Sequence, residues 1–337
     1  MATVGTGRRA RARRVATARV LLATLLAAGL AAGCTASNGP GDDGRGSPRT
    51  SHPAGTDETR GGDRPPVLAV KIDNAPAARP QTGLESADVV YVEQVEGGLS
   101  RLMAVYATRL PESVGPVRSV READLELLRQ FDRPILAFSG AQGRLLPLID
   151  RAPLEPLTPE TSGPGAGVYV RGATRSAPHN LFLQPRRLLD GPPGRASLTT
   201  GFRNGPPPSG GEPTSTRTVR YPAARFTFSW SGARDRWLVS MDGTPTVTAR
   251  GEPVAPATVV VQYVTVRPSD YHDSRGNNTP YTETVGSGTA TVLRDGRAHD
   301  VRWSRPAASG GTAFTTDDGT AVNFAQGQVW VVYAKAA

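Results

Sequence analysis

Four arginines in the first half of this 337-residue chain could bind an anion: Arg79, Arg101, Arg118 and Arg121. A guanidinium group presents a planar fork of donors that matches a carboxylate or a phosphate at two points. Structural ion pairs with neighbouring glutamates and aspartates are the competing explanation. The set therefore predicts either an anion site or an internal network of ion pairs.

Other polar residues in the same stretch could complete such a site. Asp73 and Asn74 directly follow a predicted strand, which is where open α/β sheets place their ligands. A turn stabilised by their own backbone hydrogen bonds is the alternative. Ser119 adds a hydroxyl beside Arg118 and Arg121 at a predicted helix start, where backbone N–H groups favour anions.

Glu93 and Glu96 are weak candidates for an acid–base pair. Glycoside hydrolysis uses two carboxyl groups, about 5–5.5 Å apart for retention or about 6.5–9.5 Å apart for inversion. Residues three apart on a straight strand point to opposite faces. The pair therefore converges only if the chain bends near Gly97 and Gly98. Independent surface or ion-paired glutamates are the alternative.

His179 and Asn180 form a third group of candidate ligand-binding residues. Histidine is the natural general base near neutral pH, so His179 is also a weak catalytic candidate; a histidine that caps a turn is the alternative. The sequence contains no nucleophile elbow and no zinc-type spacing. We therefore expect no metal and no cofactor.

Hydrophobic patterning predicts the elements that would position these side chains. In the first half, strands are predicted at 67–72, 88–93, 99–106 and 135–138. A capping box of Ser119 and Glu122 predicts one helix start, and residues 143–150 predict another short helix. In the second half, strands are predicted at 225–230 and 258–266. One hairpin is predicted around Asp295-Gly296, and another that joins 322–324 to 329–333.

These patterns predict an α+β protein: an N-terminal mixed α/β domain followed by a mostly antiparallel, β-rich C-terminal domain. Low hydrophobicity indicates a disordered tether, and a run rich in Pro and Gly indicates a linker. The expected organisation is a signal peptide at 1–33, a tether at 34–64, domains at 65–189 and 217–337, and a linker at 190–216.

The net charge of +9 is concentrated at the N-terminus. Six arginines and no acids precede Cys34, so the 39 basic residues of the chain leave 33 after it, against 30 acidic ones, a net +3. Nucleic-acid binding proteins usually carry a clustered basic surface, so we expect no nucleic-acid partner. Cys34 is the single cysteine, which excludes an intrachain disulfide.

The N-terminus has the pattern of an export signal. Basic residues precede a short apolar run, and small residues lead directly to Cys34. The run is shorter than the roughly 20 residues that a membrane span needs. A cysteine directly after the small residues makes the segment resemble a bacterial lipoprotein signal. The resemblance implies lipid, such as palmitate, on Cys34 and anchoring at the outer face of the bacterial cytoplasmic membrane. An uncleaved membrane anchor and soluble export are the alternatives. General secretory and twin-arginine export both remain open.

Several ordered motifs carry a resemblance to a known family. They include Ile72-Asp-Asn74, Ala78-Arg-Pro-Gln81, Glu96-Gly-Gly98, Gly115-Pro-Val-Arg-Ser119, Ala177-Pro-His-Asn180, Gly286-Ser-Gly288 and Trp303-Ser-Arg305. The set resembles the YerB-like lipoproteins, defined by N- and C-terminal parts of a domain of unknown function, number 3048. The resemblance implies an exported lipoprotein with an α/β first domain and a β-rich second one, and it implies no activity.

Three functions remain open from the sequence. The first is binding of an anionic envelope ligand or partner in a cleft lined by Arg101, Arg118, Arg121, His179 and Asn180. The second is a scaffold for membrane or secreted proteins through exposed edges of the β domain. The third is an envelope glycan hydrolase or lyase that uses Glu93 and Glu96, or His179. We favour binding over catalysis.

Overall fold

The computed structural model describes residues 64–163, 165–273 and 276–337. The predicted signal peptide, the predicted lipidation site Cys34 and nearly all of the predicted tether lie outside these residues. Within the described part of the chain, no helix combines the length and apolar character needed to cross a membrane.

Most regular structure in the described residues is β. The strands are β1 Leu68–Asp73, β2 Val89–Gln94, β3 Ser100–Tyr106, β4 Ile135–Ala137, β5 Glu155–Leu157, β6 Tyr169–Arg171, β7 Leu181–Leu183, β8 Glu212–Pro213, β9 Thr216–Tyr221, β10 Ala224–Ser231, β11 Arg236–Met241, β12 Thr244–Pro245, β13 Thr258–Val264, β14 Val266–His272, β15 Asn278–Thr282, β16 Gly286–Arg294, β17 Arg297–Arg305, β18 Ala313–Thr315 and β19 Val329–Lys335. The α-helices are α1 Glu122–Leu128 and α2 Leu146–Arg151. Short 3-10 helices lie at Pro76–Ala78, Leu84–Ser86, Glu96–Gly98, Gly143–Leu145, Pro185–Arg187 and Arg195–Ser197.

One large sheet organises the described chain. Its strand order is β18-β17-β16-β13-β19-β2-β3-β1-β4-β5, and β8 pairs with β17. A second sheet has the order β12-β11-β10-β9, and β14–β15 and β6–β7 form two-stranded hairpins. The β-rich character expected for the second half therefore extends through the whole described body.

The two faces of the large sheet bury different apolar layers. One face, including Val70 and Val92, packs on Phe226 and Trp237 of the four-stranded sheet. The other face, including Met103, packs against α1, α2 and the loops beside them. Side chains alternate between faces along a strand, so successive residues of β1, β2 and β3 serve the two layers in turn.

The expectation of an α/β N-terminal domain is confirmed only in part. The region contains parallel pairing between β1 and β4 and between β4 and β5. However, its two α-helices have only seven and six residues. The helical layer is thin because much of this face is covered by loops and by residues from the C-terminal half, including Phe314 and Phe324.

Strands from both halves of the described chain share the large sheet. The described residues belong to one compact unit. The predicted hairpin of 322–324 with 329–333 is wrong, since β19 pairs in parallel with β13 on one side and β2 on the other. Residues Val329–Ala334 are all buried, and a strand that is apolar on both faces favours a central position.

The predicted linker at 190–216 is partly integrated into the fold. β8 pairs with β17. The ring of Phe202 lies 4.9 Å from that of Phe324 and 5.9 Å from that of Phe314, measured between centroids. The hairpin predicted around Asp295-Gly296 is confirmed: β16 and β17 pair antiparallel, and both turn residues have positive φ, 51° and 71°.

Candidate functional site

Strand direction brings several of the predicted site residues to one edge of the large sheet. β1 and β2 both run antiparallel to β3, which lies between them. The ends of β1 and β2 therefore meet the start of β3. Arg101 is the direct cross-strand partner of both Asp73 and Glu93, so these three side chains leave the same face of the sheet.

A polar cleft of about 860 Å³ opens at this edge, and we call it the arginine cleft. Its volume lies within the range of small-molecule sites. Seven predicted site residues line it: Asp73, Glu96, Arg101, Arg118, Ser119, Arg121 and His179. The cleft therefore gathers most of the site that the sequence predicts.

Asp73 and His179 form a hydrogen-bonded pair in the arginine cleft. His179 Nδ1 lies 2.8 Å from Asp73 Oδ2, and the Asp73 side chain is only 5% exposed. The backbone N–H of Ala75 donates to Asp73 Oδ1 at 3.1 Å. Arg118 Nε lies 3.2 Å from Asp73 Oδ2, but its N–H is not aligned to make a hydrogen bond. Arg118 therefore acts on Asp73 through charge.

Glu96 is held by Arg121 in a two-pronged ion pair. Arg121 Nε donates to Glu96 Oε1 at 2.6 Å, and Arg121 Nη2 donates to Oε2 at 2.8 Å. Thr279 Oγ1 also donates to Oε1 at 2.6 Å. Burial by itself would raise the pKa of Glu96, but the hydrogen bonds and charge of Arg121 outweigh burial and lower it. Glu96 is therefore an ionised carboxylate whose two oxygens already accept hydrogen bonds from Arg121 and Thr279.

Arg101 differs from its neighbours because no described carboxylate forms an ion pair with it. Its Nη1 donates to the backbone carbonyl of Ser119 at 3.0 Å. Burial is the main reason why the pKa of Arg101 falls to about 10. The positive charges of Arg121 and Arg118 also lower this pKa, while Glu96 and Asp73 oppose the change. Arg101 remains protonated at neutral pH, so the cleft contains a cation without a direct counter-ion.

Three of the predicted ligand-binding residues lie outside the arginine cleft. Asn74 Nδ2 donates to Ser100 Oγ at 2.9 Å, and Asn74 Oδ1 accepts from Arg79 Nε at 3.1 Å. Arg79 also forms an ion pair with Asp242 at 2.7 Å. Asn180 Oδ1 accepts from Arg171 Nη1 at 2.8 Å. In the structure, Asn74, Arg79 and Asn180 hold loops and strands together.

Glu93 and Glu96 do not form a shared carboxylate pair. Glu93 is buried and bonded to Lys71, which also lies 2.7 Å from Asp124. Burial raises the pKa of Glu93 to about 8, and the nearby charge of Asp124 adds to the rise, while Lys71 opposes it. The chain turns at Gly97 and Gly98, both with positive φ, but Glu96 then turns toward Arg121.

The predicted capping box at Ser119 and Glu122 is wrong. α1 begins at Glu122, and Asp124 accepts the backbone N–H of Arg121 through Oδ2 at 2.6 Å. Asp124 also pairs with Lys71, which fixes the helix start two residues later than expected. The cap position is filled by this carboxylate, so the structure gives no support for an anion site at the helix start.

The β14–β15 hairpin supplies a wall of the cleft that sequence reasoning missed. Tyr271, His272 and Thr279 line the cleft from this hairpin. Tyr281 anchors it by donating to Glu126 Oε2 of α1 at 2.8 Å. No local pattern marks these residues, because they reach the cleft only through long-range packing.

Comparisons with known proteins agree with the fold. Residues 53–197 match the family described as protein of unknown function (DUF3048) N-terminal domain, and residues 217–331 match its C-terminal domain. A Bacillus subtilis (strain 168) protein named "Putative lipoprotein YerB" is 47% identical over 70 residues, which span 21% of this chain and 21% of that protein.

A solved structure of the YerB protein from Bacillus subtilis is similar to this fold, with a TM-score of 0.66 at 20% identity. The match covers 80% of this chain and 91% of that one. At this identity the likeness concerns the fold. Together, the two matched regions cover most of the sequence, and the chain belongs to the DUF3048 family of proteins of unknown function.

Proposed function

We propose that this protein is a lipid-anchored cell-envelope protein that binds an anionic ligand in the arginine cleft. The observation that carries the ligand proposal is Arg101, a largely buried cation with no direct carboxylate partner among the described residues. Arg118 lies close enough for its positive charge to lower the pKa of Arg101. A carboxylate or phosphate group on the ligand would supply the missing counter-charge.

Two of the carboxylates that line the cleft, Glu96 and Asp73, already have partners within it. Glu96 is neutralised by Arg121, and Asp73 is contacted by Arg118 and His179. In contrast, Arg101 donates one hydrogen bond among the described residues, to the neutral backbone carbonyl of Ser119. An anion that enters the cleft would therefore meet unused N–H groups on Arg101, and the Arg118 guanidinium lies in the same cleft.

The anchor proposal concerns residues outside the structure. Cys34 follows an export-type signal, and the curated relative is named as a lipoprotein. We propose that lipid on Cys34 holds the body at the outer face of the cytoplasmic membrane, with 65–189 and 217–337 as the two sequence domains. Labelled palmitate should enter the wild-type chain but not Cys34→Ala, and the variant should leave the membrane fraction.

The ligand proposal is tested by titrating the full-length chain with polyanions. The probes are poly(glycerol phosphate) and polyglutamate, which distinguish phosphate from carboxylate recognition, with neutral dextran as a control. Arg101→Met should weaken binding of at least one polyanion roughly 10–100-fold, since a hydrogen bond to a charged group contributes about 1.5–3 kcal/mol.

Arg302→Met is the matched control, because Arg302 is exposed on β17 and pairs with Asp317 at 2.9 Å. It removes the same charge and should leave binding unchanged. Equal affinities for wild type and Arg101→Met, or equal losses in both arginine variants, would remove the arginine cleft as the anion site.

A further inference from the structure

We propose that the arginine cleft hydrolyses carboxylic esters of anionic molecules, with His179 as the general base and Asp73 as its positioning residue. This inference rests on the anion binding proposed above and adds a reaction to it. Asp73 and His179 are 106 positions apart in the sequence, and the fold joins them at 2.8 Å.

The hydrogen bond fixes which nitrogen of His179 is available for chemistry. A carboxylate oxygen only accepts hydrogen bonds, so Nδ1 carries the hydrogen that it donates to Asp73. Nε2 is then the acceptor of the neutral ring. Nε2 has no hydrogen-bond partner among the described residues, and the side chain of His179 is 23% exposed while it lines the cleft. The cleft thus contains an oriented base with a free lone pair.

The two glutamates that the sequence offers as an acid–base pair are engaged elsewhere. Glu96 accepts two hydrogen bonds from Arg121 and one from Thr279. Glu93 is buried against Lys71 and does not line the cleft. The chemistry therefore centres on the imidazole of His179 rather than on a pair of carboxylates.

An ester requires only one base of this kind. Nε2 takes a proton from water as the water oxygen adds to the ester carbonyl carbon, and the carbonyl electron pair moves onto its oxygen beside Arg118. The adduct then expels the alkoxide, which takes the proton from Nε2. The sum is ester plus water giving acid plus alcohol, and the acid loses its proton to solvent.

The geometry of the two proton transfers favours acyl over phosphoryl chemistry. In an acyl transfer, the attacking and leaving oxygens are attached to one tetrahedral carbon, so one imidazole serves both. In-line phosphoryl displacement separates the two oxygens and requires a second group on the far side. The role of Arg118 is to stabilise charge on the carbonyl oxygen, and the role of Arg101 is to hold the substrate's own anion.

The test compares an anionic ester, mono-4-nitrophenyl succinate, with the neutral 4-nitrophenyl pentanoate. The full-length chain should hydrolyse the anionic ester faster than buffer and prefer it at least tenfold in kcat/KM. His179→Gly should lower kcat roughly 100-fold or more. Added free imidazole should raise the kcat of this variant at least tenfold. Arg101→Met should abolish the preference for the anionic ester.

Asp73 acts through His179 rather than on the substrate, so kcat and KM are measured separately for its variant. Asp73→Asn should lower kcat at least tenfold while KM changes less than threefold. Arg302→Met should retain wild-type constants, and melting temperatures should establish that each variant is folded. The reaction is overturned if wild type does not exceed the buffer rate, or if folded His179→Gly keeps wild-type turnover.

Polyanion binding by the same His179→Gly preparation separates the two proposals. The expected result is retained polyanion binding with lost turnover. Arg101-dependent binding without any ester hydrolysis would overturn the reaction and leave the proposed function standing. Absence of both binding and hydrolysis would overturn both.

Discussion

Lys71 Nζ lies 2.7 Å from Asp124 Oδ1, and neither side chain has any exposed surface. Glu93 contacts the same ammonium group from β2, so one buried cation holds two carboxylates together. Burial tends to raise the pKa of Asp124, but Lys71 and the surrounding hydrogen bonds outweigh it and lower the pKa. Because Asp124 also accepts the N–H of Arg121, this cluster supports the wall of the arginine cleft.

Lys71→Met should be strongly destabilising, because it leaves the Asp124 carboxylate buried without its cation. Removing one partner of a buried ion pair typically costs about 3–5 kcal/mol, and we expect a loss in this range from urea unfolding at pH 7. The matched control is Lys335→Met, which removes the only other lysine of the chain from an exposed position. A loss below about 1 kcal/mol for Lys71→Met would contradict the account of this cluster.

Glu93 should make stability depend on pH. Burial raises the pKa of Glu93 from its ordinary 4.5 to about 8, so between these values the folded chain retains a proton that the unfolded chain has lost. The contribution of Glu93 to the free energy of unfolding therefore falls as the pH rises from about 5 to 8. Urea unfolding at pH 5, 6.5 and 8 should give a flatter profile for Glu93→Gln than for wild type. Parallel profiles would show that Glu93 does not titrate in this window.

Arg305 connects the C-terminal half to the first helix. Its Nη2 donates to the carbonyls of Glu126 and Leu127, near the end of α1, at 3.0 and 3.2 Å. Its Nη1 donates to Thr284 Oγ1 at 2.8 Å. Arg305→Met would leave these buried acceptors unpaired, and we expect a loss of about 3 kcal/mol by urea unfolding. Arg302→Met, three positions away and exposed, should change stability by less than about 0.5 kcal/mol; similar losses in both variants would contradict this role.

The sequence allowed the central strands to be located because their signals are local. β-branched runs marked β1, β2, β3 and β13 to within a residue or two of their observed bounds. The predicted gathering of Arg101, Arg118 and His179 also agrees with the structure, since all three line one cleft. Residue chemistry and the family motifs selected these three residues, because arginines bind anions and His179 lies in the Ala177-Pro-His-Asn180 motif.

Other features depend on contacts that no local pattern records. The helix cap moved from Ser119 to Arg121 because Asp124 is fixed by Lys71 from β1. The hairpin wall reaches Glu96 through Thr279, 183 positions away. The sharing of one sheet by both halves depends on β19 inserting between β2 and β13. Each of these follows from tertiary packing rather than from propensity.

The most direct test of the central claim is urea unfolding of wild type and Arg101→Met, each with and without poly(glycerol phosphate) or polyglutamate. Because Arg101 has no direct carboxylate partner among the described residues, the unliganded variant should be at least as stable as wild type once this largely buried cation has been removed. A bound polyanion should raise the free energy of unfolding of wild type and leave that of Arg101→Met unchanged. Equal stabilisation of both proteins by the polyanion, or a loss above about 2 kcal/mol in the unliganded variant, would contradict it.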